Sequence, residues 1–186
     1  MMPTVAFAAD DDEVDQSNSV LEGSCGAEGD NVKWKLTKNE DSLYCVKKDD
    51  TTWRFYDNDK NGGDKVQAYT LTIDGEGAMA DYERNTTPWG LKLEEIWGAE
   101  ASENNTVSDY CSPRITQIKF AADSNVTYIG AHAFRSTSIR SIAIPNSVKS
   151  IGAYAFIMCR HLTSIEANEL SDRAFYAEDD VLYENY

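Results

Sequence analysis

The sequence predicts a mixed, β-rich fold in which an N-terminal all-β module caps a short right-handed solenoid, whose repeats each contain a β-strand plus a short helical turn. Apolar and polar residues alternate in the first half, as in strands with one buried face. A unit of 22 to 24 residues recurs in the second half, and this period is typical of solenoids. Only about two and a half units are present. Because so few repeats seldom suffice alone and solenoid ends need caps, we expect the β module to share one core with them.

The composition excludes two classes of protein. Of 186 residues, 17 are Lys or Arg and 32 are Asp or Glu, which gives a net charge of −15. Such acidity repels phosphate backbones, so nucleic acid is not expected as a partner. No apolar run approaches the roughly 20 residues of a membrane-spanning helix. The charge is uneven, because residues 114–165 carry six basic side chains and one acidic one.

The N-terminal residues indicate export. Residues 1–9 are uncharged and end in small residues at an A-x-A spacing, so we interpret them as the tail of a signal peptide, with a disordered N-terminus as the alternative. Residues 10–20 follow as an acidic linker that is expected to be disordered. This pattern predicts a secreted or cell-surface protein.

Residues 21–113 are predicted to form the β module. Three runs in this range have large apolar residues at every second position, which is the period of a strand. They are Val32/Trp34/Leu36, Trp53/Phe55 and Tyr69/Leu71/Ile73.

The repeat occupies residues 114–186. An offset of 22 aligns residues 126–134 with residues 148–156, and every Gly, Ala and Phe in that frame coincides. Residues 139–144 likewise match residues 162–167 at an offset of 23. Alternation predicts that Ile142 and Ile144 face the core, whereas the residues between them face outward.

These segments resemble the repeats of the BspA-like leucine-rich repeat family of bacterial surface and secreted proteins. The match is closest from Ile151-Gly152 to Ile165, although Thr137 replaces the repeat cysteine in the first copy. The first half resembles the β module that often precedes such repeats, and residues 175–183 resemble a hairpin-like insertion of the family. The resemblance implies non-enzymatic recognition or adhesion, with a host or neighbouring-cell macromolecule as the partner.

Two sets of candidate binding residues follow. The outward residues of the repeat strands form the predicted concave face: Gln117, Lys119, Ser141, Ala143, Ser164 and Glu166. Three short strands offer roughly 300 Å², whereas a protein interface needs about 800 Å² per partner. We therefore expect weak binding strengthened by multivalent display, or help from loop aromatics, namely Trp53, Tyr56 and Trp97.

Two other functions remain open at this stage. The loop aromatics could instead make the protein a carbohydrate-binding one, because exposed Trp and Tyr rings stack on sugars. The chain could also be a structural spacer or a fragment of a longer repeat array. The expected ligand is thus an extracellular protein or a glycan.

The sequence offers little for catalysis or metal binding. Asp57, Asp59 and Asn61 match the opening of a calcium loop, but position twelve is Ala68 rather than the required Glu. An acidic hairpin turn is therefore the better interpretation, and no cofactor is expected. We find no nucleophile motif and assign no catalytic residue.

Four cysteines, Cys25, Cys45, Cys111 and Cys159, show no metal-ligand spacing. In an exported protein disulfides can form. Cys45 with Cys111 is the preferred pair, because both lie in irregular acidic stretches that a crosslink could order. Four reduced and mostly buried thiols are the alternative.

Overall fold

The computed structural model describes residues 21–49, 52–56, 60, 63–97, 114–167, 175–178 and 181–184. The described part is β-rich with one short helix. Its elements are β1 Glu22–Gly26, β2 Gly29–Asp49, β3 Thr52–Tyr56, β4 Asp64–Ala78, α1 Pro88–Trp97, β5 Ile115–Phe120, β6 Asn125–Ile129, β7 Ser141–Ile144, β8 Ser150–Ile151, β9 Ser164–Ala167, β10 Phe175–Glu178 and β11 Val181–Glu184.

Long antiparallel strands build the first half. The 21-residue strand β2 pairs with β1, β3 and β4, all antiparallel. Val32, Trp34 and Leu36 of β2 are buried, whereas the residues between them are exposed. The predicted alternation is confirmed here, because one face of the strand packs on the core.

Strand β4 connects the two halves of the sequence. One edge pairs with β2, and the other edge pairs in parallel first with β5, through Tyr69–Ile73, and then with β6, through Glu76–Ala78. Gly75 lies between these two segments with a φ of 122°, which L side chains adopt only with strain. Strand β4 is therefore the first strand of two parallel sets, one that continues with β5 and one that continues with β6.

The repeat strands continue these arrangements. β6 pairs in parallel with β8, and β7 pairs in parallel with β9, while β5 lies beside β7. Each repeat has two segments that were predicted to be strands, and both are strands in both copies. They are β6 and β7 in the first copy and β8 and β9 in the second. Residues 175–183 were predicted to be hairpin-like, and residues 175–178 and 181–184 form the antiparallel pair β10–β11. The right-handed solenoid and the separate capping module stay predictions.

The sequence led us to expect an all-β first half. This expectation is wrong, because helix α1 begins at Pro88. The Leu91 N–H donates to the Thr87 carbonyl, which closes the first turn, and proline suits the first helical position because no partner is needed for its nitrogen. Trp89 and Leu93 are fully buried. Their spacing of four residues places both on one helix face.

The predicted short helical turn of each repeat is also wrong. Residues 130–137, the first turn, and residues 152–159, the second turn, are successive hydrogen-bonded turns without helix. Their backbones reach positive φ at two equivalent places in each copy, namely His132 and Ser136, and Tyr154 and Met158. A right-handed helix cannot pass through such residues.

One hydrophobic core contains residues from both halves. Buried side chains form a single cluster that extends from Cys25 to Cys159. Trp89 is at its centre, with its ring 6.3 Å from Trp34 and 6.1 Å from Phe134. The expected shared core is therefore present. Among the described helices none is long and apolar enough to cross a membrane.

Candidate functional site

The outward face of β5, β7 and β9 brings together most of the predicted concave residues. Along β7, Ser141 and Ala143 are exposed while Ile142 and Ile144 are buried, as predicted. The parallel register places Ala143 opposite Glu166 of β9. These strands therefore present one row of small and polar side chains to solvent.

A groove with a volume of about 540 Å³ runs over this face. Five of the six predicted residues line it, and Ser164, although exposed, does not. The repeat strands and their connections contribute most of the lining: Thr116, Gln117, Ile118, Lys119, Ser138, Arg140, Ser141, Ile142, Ala143, His161 and Glu166. The remaining lining residues, Asp41, Ser42 and Leu43, come from β2.

A bulge in β2 makes one wall of the groove. Asn39 pairs with Ala68 and Leu43 with Val66, so residues 40–42 of β2 lie opposite a single residue of β4. Extra residues of this kind bend a strand, and Asp41 of the bulge contacts Thr116 and Gln117 of β5. Sequence reasoning missed this wall, because a bulge depends on the register of the partner strand and not on a local pattern.

Side-chain hydrogen bonds fix the bulge to the groove floor. The Thr116 hydroxyl donates to the Asp41 carboxylate at 2.6 Å, and the Gln117 amide donates to the same oxygen at 3.0 Å. The Asn39 amide donates to the hydroxyls of Thr70 and Thr116 at 3.1 and 3.0 Å. Because charge-assisted and networked bonds resist displacement, the wall is held before any ligand binds.

The groove carries both signs of charge. Lys119 of β5 and Arg140, just before β7, are exposed cations, and Glu166 of β9 is an exposed anion. Within the ranges that the structure describes, no group of three His, Cys, Asp or Glu side chains could hold a metal ion. The lining is suited to hydrogen bonds and ion pairs with a polar ligand.

Several predicted site residues lie wholly or partly outside the described part of the chain. The backbones of Trp53 and Tyr56 lie in β3, and that of Trp97 ends α1, but their side chains lie outside the described part. The calcium candidates Asp57, Asp59 and Asn61 are outside the described residues. The binding roles of all these side chains stay predictions.

The three cysteines that the structure describes are buried. Cys25, Cys45 and Cys159 are free thiols in the structure, and Cys111 lies outside the described residues, so the Cys45–Cys111 pairing stays a prediction. Burial raises the pKa of Cys25 to about 12. For Cys45, burial outweighs the nearby Arg114 and raises the pKa to about 11. Both thiols are therefore protonated at neutral pH and are poor nucleophiles.

Comparison with known proteins agrees with the repeat. The family model for a BspA type leucine rich repeat region, with six copies, matches residues 105–181, which confirms the resemblance inferred from the sequence. A crystal structure of a leucine-rich repeat protein from Eubacterium ventriosum matches with 20% identity over 63% of this chain and 45% of that chain, at a TM-score of 0.26. This chain thus spans less than half of that protein. A search of curated proteins gave no match.

Proposed function

We propose that this chain, which carries a BspA-type leucine-rich repeat region over residues 105–181, is a non-enzymatic recognition protein, secreted or displayed at the cell surface. Leucine-rich repeats of this family suggest a role in protein interaction. The proposed ligand is a protein of a host or a neighbouring cell. The proposed site is the groove over β5, β7 and β9.

The observation that carries this proposal is the convergence of five predicted outward residues on one groove. Their side chains are exposed or half-buried, whereas Ile118, Ile142 and Ile144 between them are buried, so the face is open without cost to the core. The groove is also framed by the β2 bulge, whose hydrogen bonds to Thr116 and Gln117 hold it in place. Preorganised polar groups lose little conformational freedom on binding.

The mixed charge of the groove favours a polar protein segment as the ligand. Lys119 and Glu166 offer a cation and an anion on the same face, which matches a peptide that carries both charges. The whole chain has a net charge of −15, so a uniformly anionic polymer would be repelled by the rest of the molecule. Since the strand face alone is smaller than a standard interface, the bulge and multivalent display are expected to add to the affinity.

The test is binding of the full chain to immobilised extracellular matrix proteins and mucins, with anionic polysaccharides in parallel. Ala143→Arg fills the groove at an exposed position, and we expect it to weaken binding at least tenfold. Ala122→Arg adds the same side chain at an exposed turn position outside the groove lining, and binding should be unchanged. Equal binding by both variants would show that the groove is not the site.

A further inference from the structure

One row of residues, which we call the charged row, crosses the groove from strand to strand. Lys119 of β5, Ala143 of β7 and Glu166 of β9 all line the groove, and all three side chains are exposed. Ala143 pairs with Glu166 in the parallel register of β7 and β9. β5 lies beside β7, and an offset of 24 residues aligns buried Ile118 with buried Ile142. The same offset places Lys119 level with Ala143.

The charged row offers opposite charges at a fixed spacing. Lys119 is at one end, Glu166 is at the other, and the small Ala143 lies between them. Neighbouring strands lie about 4.8 Å apart, so roughly 10 Å separates the two charged residues along the row. Because the Ala143 side chain ends at its Cβ, a ligand backbone can lie close to the sheet at this point.

A ligand on this face contacts side chains rather than the backbones of the strands. The backbone groups of β7 and β9 pair with each other in the plane of their sheet, and the charged row lies on the face of that sheet. Addition of a ligand strand to a sheet edge is therefore not the mode of binding here. The spacing between ligand charges instead decides which peptide conformation fits.

The polyproline II conformation fits the charged row in both spacing and size. With three residues per turn and a rise of about 3.1 Å, it places residues i and i+3 on the same side, roughly 9.3 Å apart. An extended strand places residues of one side roughly 7 or 13 Å apart. An α-helix matches near 10 Å only between residues i and i+7, and such a two-turn helix would occupy roughly 800 to 1,200 Å³. The groove has a volume of about 540 Å³, which is too small for that helix.

The middle of the groove offers hydrogen bonds to a polyproline II backbone. Ser141 lies two residues before Ala143 on the same exposed face of β7, and Gln117 has the equivalent position on β5. A polyproline II segment forms no internal hydrogen bonds, so its carbonyls are available to outside donors. The Ser141 hydroxyl can donate to such a carbonyl. Ligand backbone and ligand charges thus find partners in two parallel rows.

We propose that the groove binds a polyproline II segment of a partner protein in which an acidic and a basic residue lie three positions apart. The acidic side chain pairs with Lys119 and the basic side chain pairs with Glu166, while the backbone between them lies over Ala143. This inference rests on the proposed function, since it names the ligand of the same groove. Charge spacing takes the place of the aromatic rings on which segments of this conformation usually dock.

Two capped proline-rich peptides test the spacing on the full chain. Each contains one Glu and one Arg among prolines, three positions apart in the first peptide and two positions apart in the second, so that composition and net charge are equal. Proline holds both peptides in the polyproline II conformation. We expect the first peptide to bind at least threefold more tightly in isothermal titration calorimetry at low salt, since exposed ion pairs are individually weak.

Charge reversal tests the pairing with Lys119. Lys149→Glu is the matched control, because Lys149 is exposed and lies outside the groove lining and both variants have the same net charge. Lys119→Glu should bind the first peptide at least threefold more weakly than Lys149→Glu does. A peptide in which Arg replaces the Glu should show the opposite order, with Lys119→Glu the tighter binder by at least threefold. A loss of structure in Lys119→Glu would weaken the binding of both peptides.

Equal binding of the two spacings, or the same affinities for Lys119→Glu and Lys149→Glu, would overturn the inference. The proposed function has its own test in the same assay format. If Ala143→Arg still weakens binding to an immobilised protein while the peptides show no preference for spacing, the groove is the site and the ligand class is wrong. If Ala143→Arg leaves the binding of every immobilised protein unchanged, the proposed function fails as well.

Discussion

Gly130 and Gly152 show why each repeat places a glycine after its short strand. A Cβ on Gly130 would overlap the carbonyl oxygen of Ala80, and one on Gly152 would overlap the backbone nitrogen of Ala131. Neither glycine has a positive φ, so the requirement comes from the neighbouring backbone and not from the local conformation. The distance between successive layers is thus set by the absence of a side chain.

We expect Gly130→Ala to lower the free energy of unfolding by on the order of 1–3 kcal/mol or more, because the added methyl group forces the layers apart. Gly29→Ala is the matched control, since a Cβ there meets no atom within 4 Å. Its loss of stability reports only the cost of placing alanine at a positive φ. Urea denaturation of both variants would measure the difference. A Gly130→Ala variant no less stable than the control would contradict the close contact.

Thr137 shows how a departure from the repeat pattern is accommodated. Its hydroxyl donates to the Phe134 carbonyl at 2.9 Å and lies 3.2 Å from the Cys159 sulfur at the equivalent position of the next repeat. The Cys159 thiol donates to the same carbonyl at 3.1 Å. Threonine can replace cysteine here because both offer a small donor to one buried acceptor.

At the scale of elements, the Asp81 carboxylate in the segment after β4 accepts two hydrogen bonds that help to join the first half to the repeats. The Ala131 N–H, followed by the Tyr128 hydroxyl, lowers the pKa of Asp81. The pKa of Tyr128 is raised to about 12 by burial and by its bond to Asp81. The charged form of Asp81 therefore stabilises the fold.

Asp81→Asn should destabilise the protein at neutral pH by no more than about 1 kcal/mol, since solvent weakens charged hydrogen bonds at an exposed position. The folded pKa is the lower one, so the contribution is fully present above the unfolded value of about 3.9 and is lost as the pH falls through the folded value. Chemical denaturation between pH 3 and pH 7 should show that the gap between wild type and variant closes in acid. Asp123→Asn, an exposed turn variant, should show no such gap.

Strands could be predicted from the sequence better than the other elements. The alternation at Val32/Trp34/Leu36 and at Ile142/Ile144 has a period that only a strand explains. Helix α1 was missed because it has only ten residues, although Thr87-Pro88 followed by Trp89 and Leu93 carries the signal of a helix start. The wall at residues 40–42 had no signal in the sequence, since it results from pairing with β4.

At the scale of the whole molecule, aromatic rings link the halves into one core. Phe134 stacks on Trp89 of the first half and packs against Phe156 of the second repeat, with centroids 6.1 and 5.5 Å apart. Neither half could expose this surface to water and stay stable, because each supplies rings that cover the other. The repeats and the strands before them therefore depend on each other.

This dependence predicts a single cooperative unfolding transition. Phe134→Ala should lower the free energy of unfolding by about 3–5 kcal/mol, and it should shift the transitions seen by tryptophan fluorescence and by far-ultraviolet circular dichroism together. Tryptophan fluorescence reports on the first half, where all four tryptophans lie. Far-ultraviolet circular dichroism reports on all strands. Separate midpoints for the two probes would mean that the halves unfold independently.

Strand β4 also has a consequence for how such a chain can change by insertion and deletion. Only Asp74 and Gly75 separate the segment that pairs with β5 from the segment that pairs with β6. One residue gained or lost there would shift one parallel arrangement against the other by about 3.3 Å, the rise of a strand residue. Duplication of whole repeats does not change these two residues. The number of repeats can therefore vary in evolution while β4 keeps the register of its β5 pairing relative to its β6 pairing.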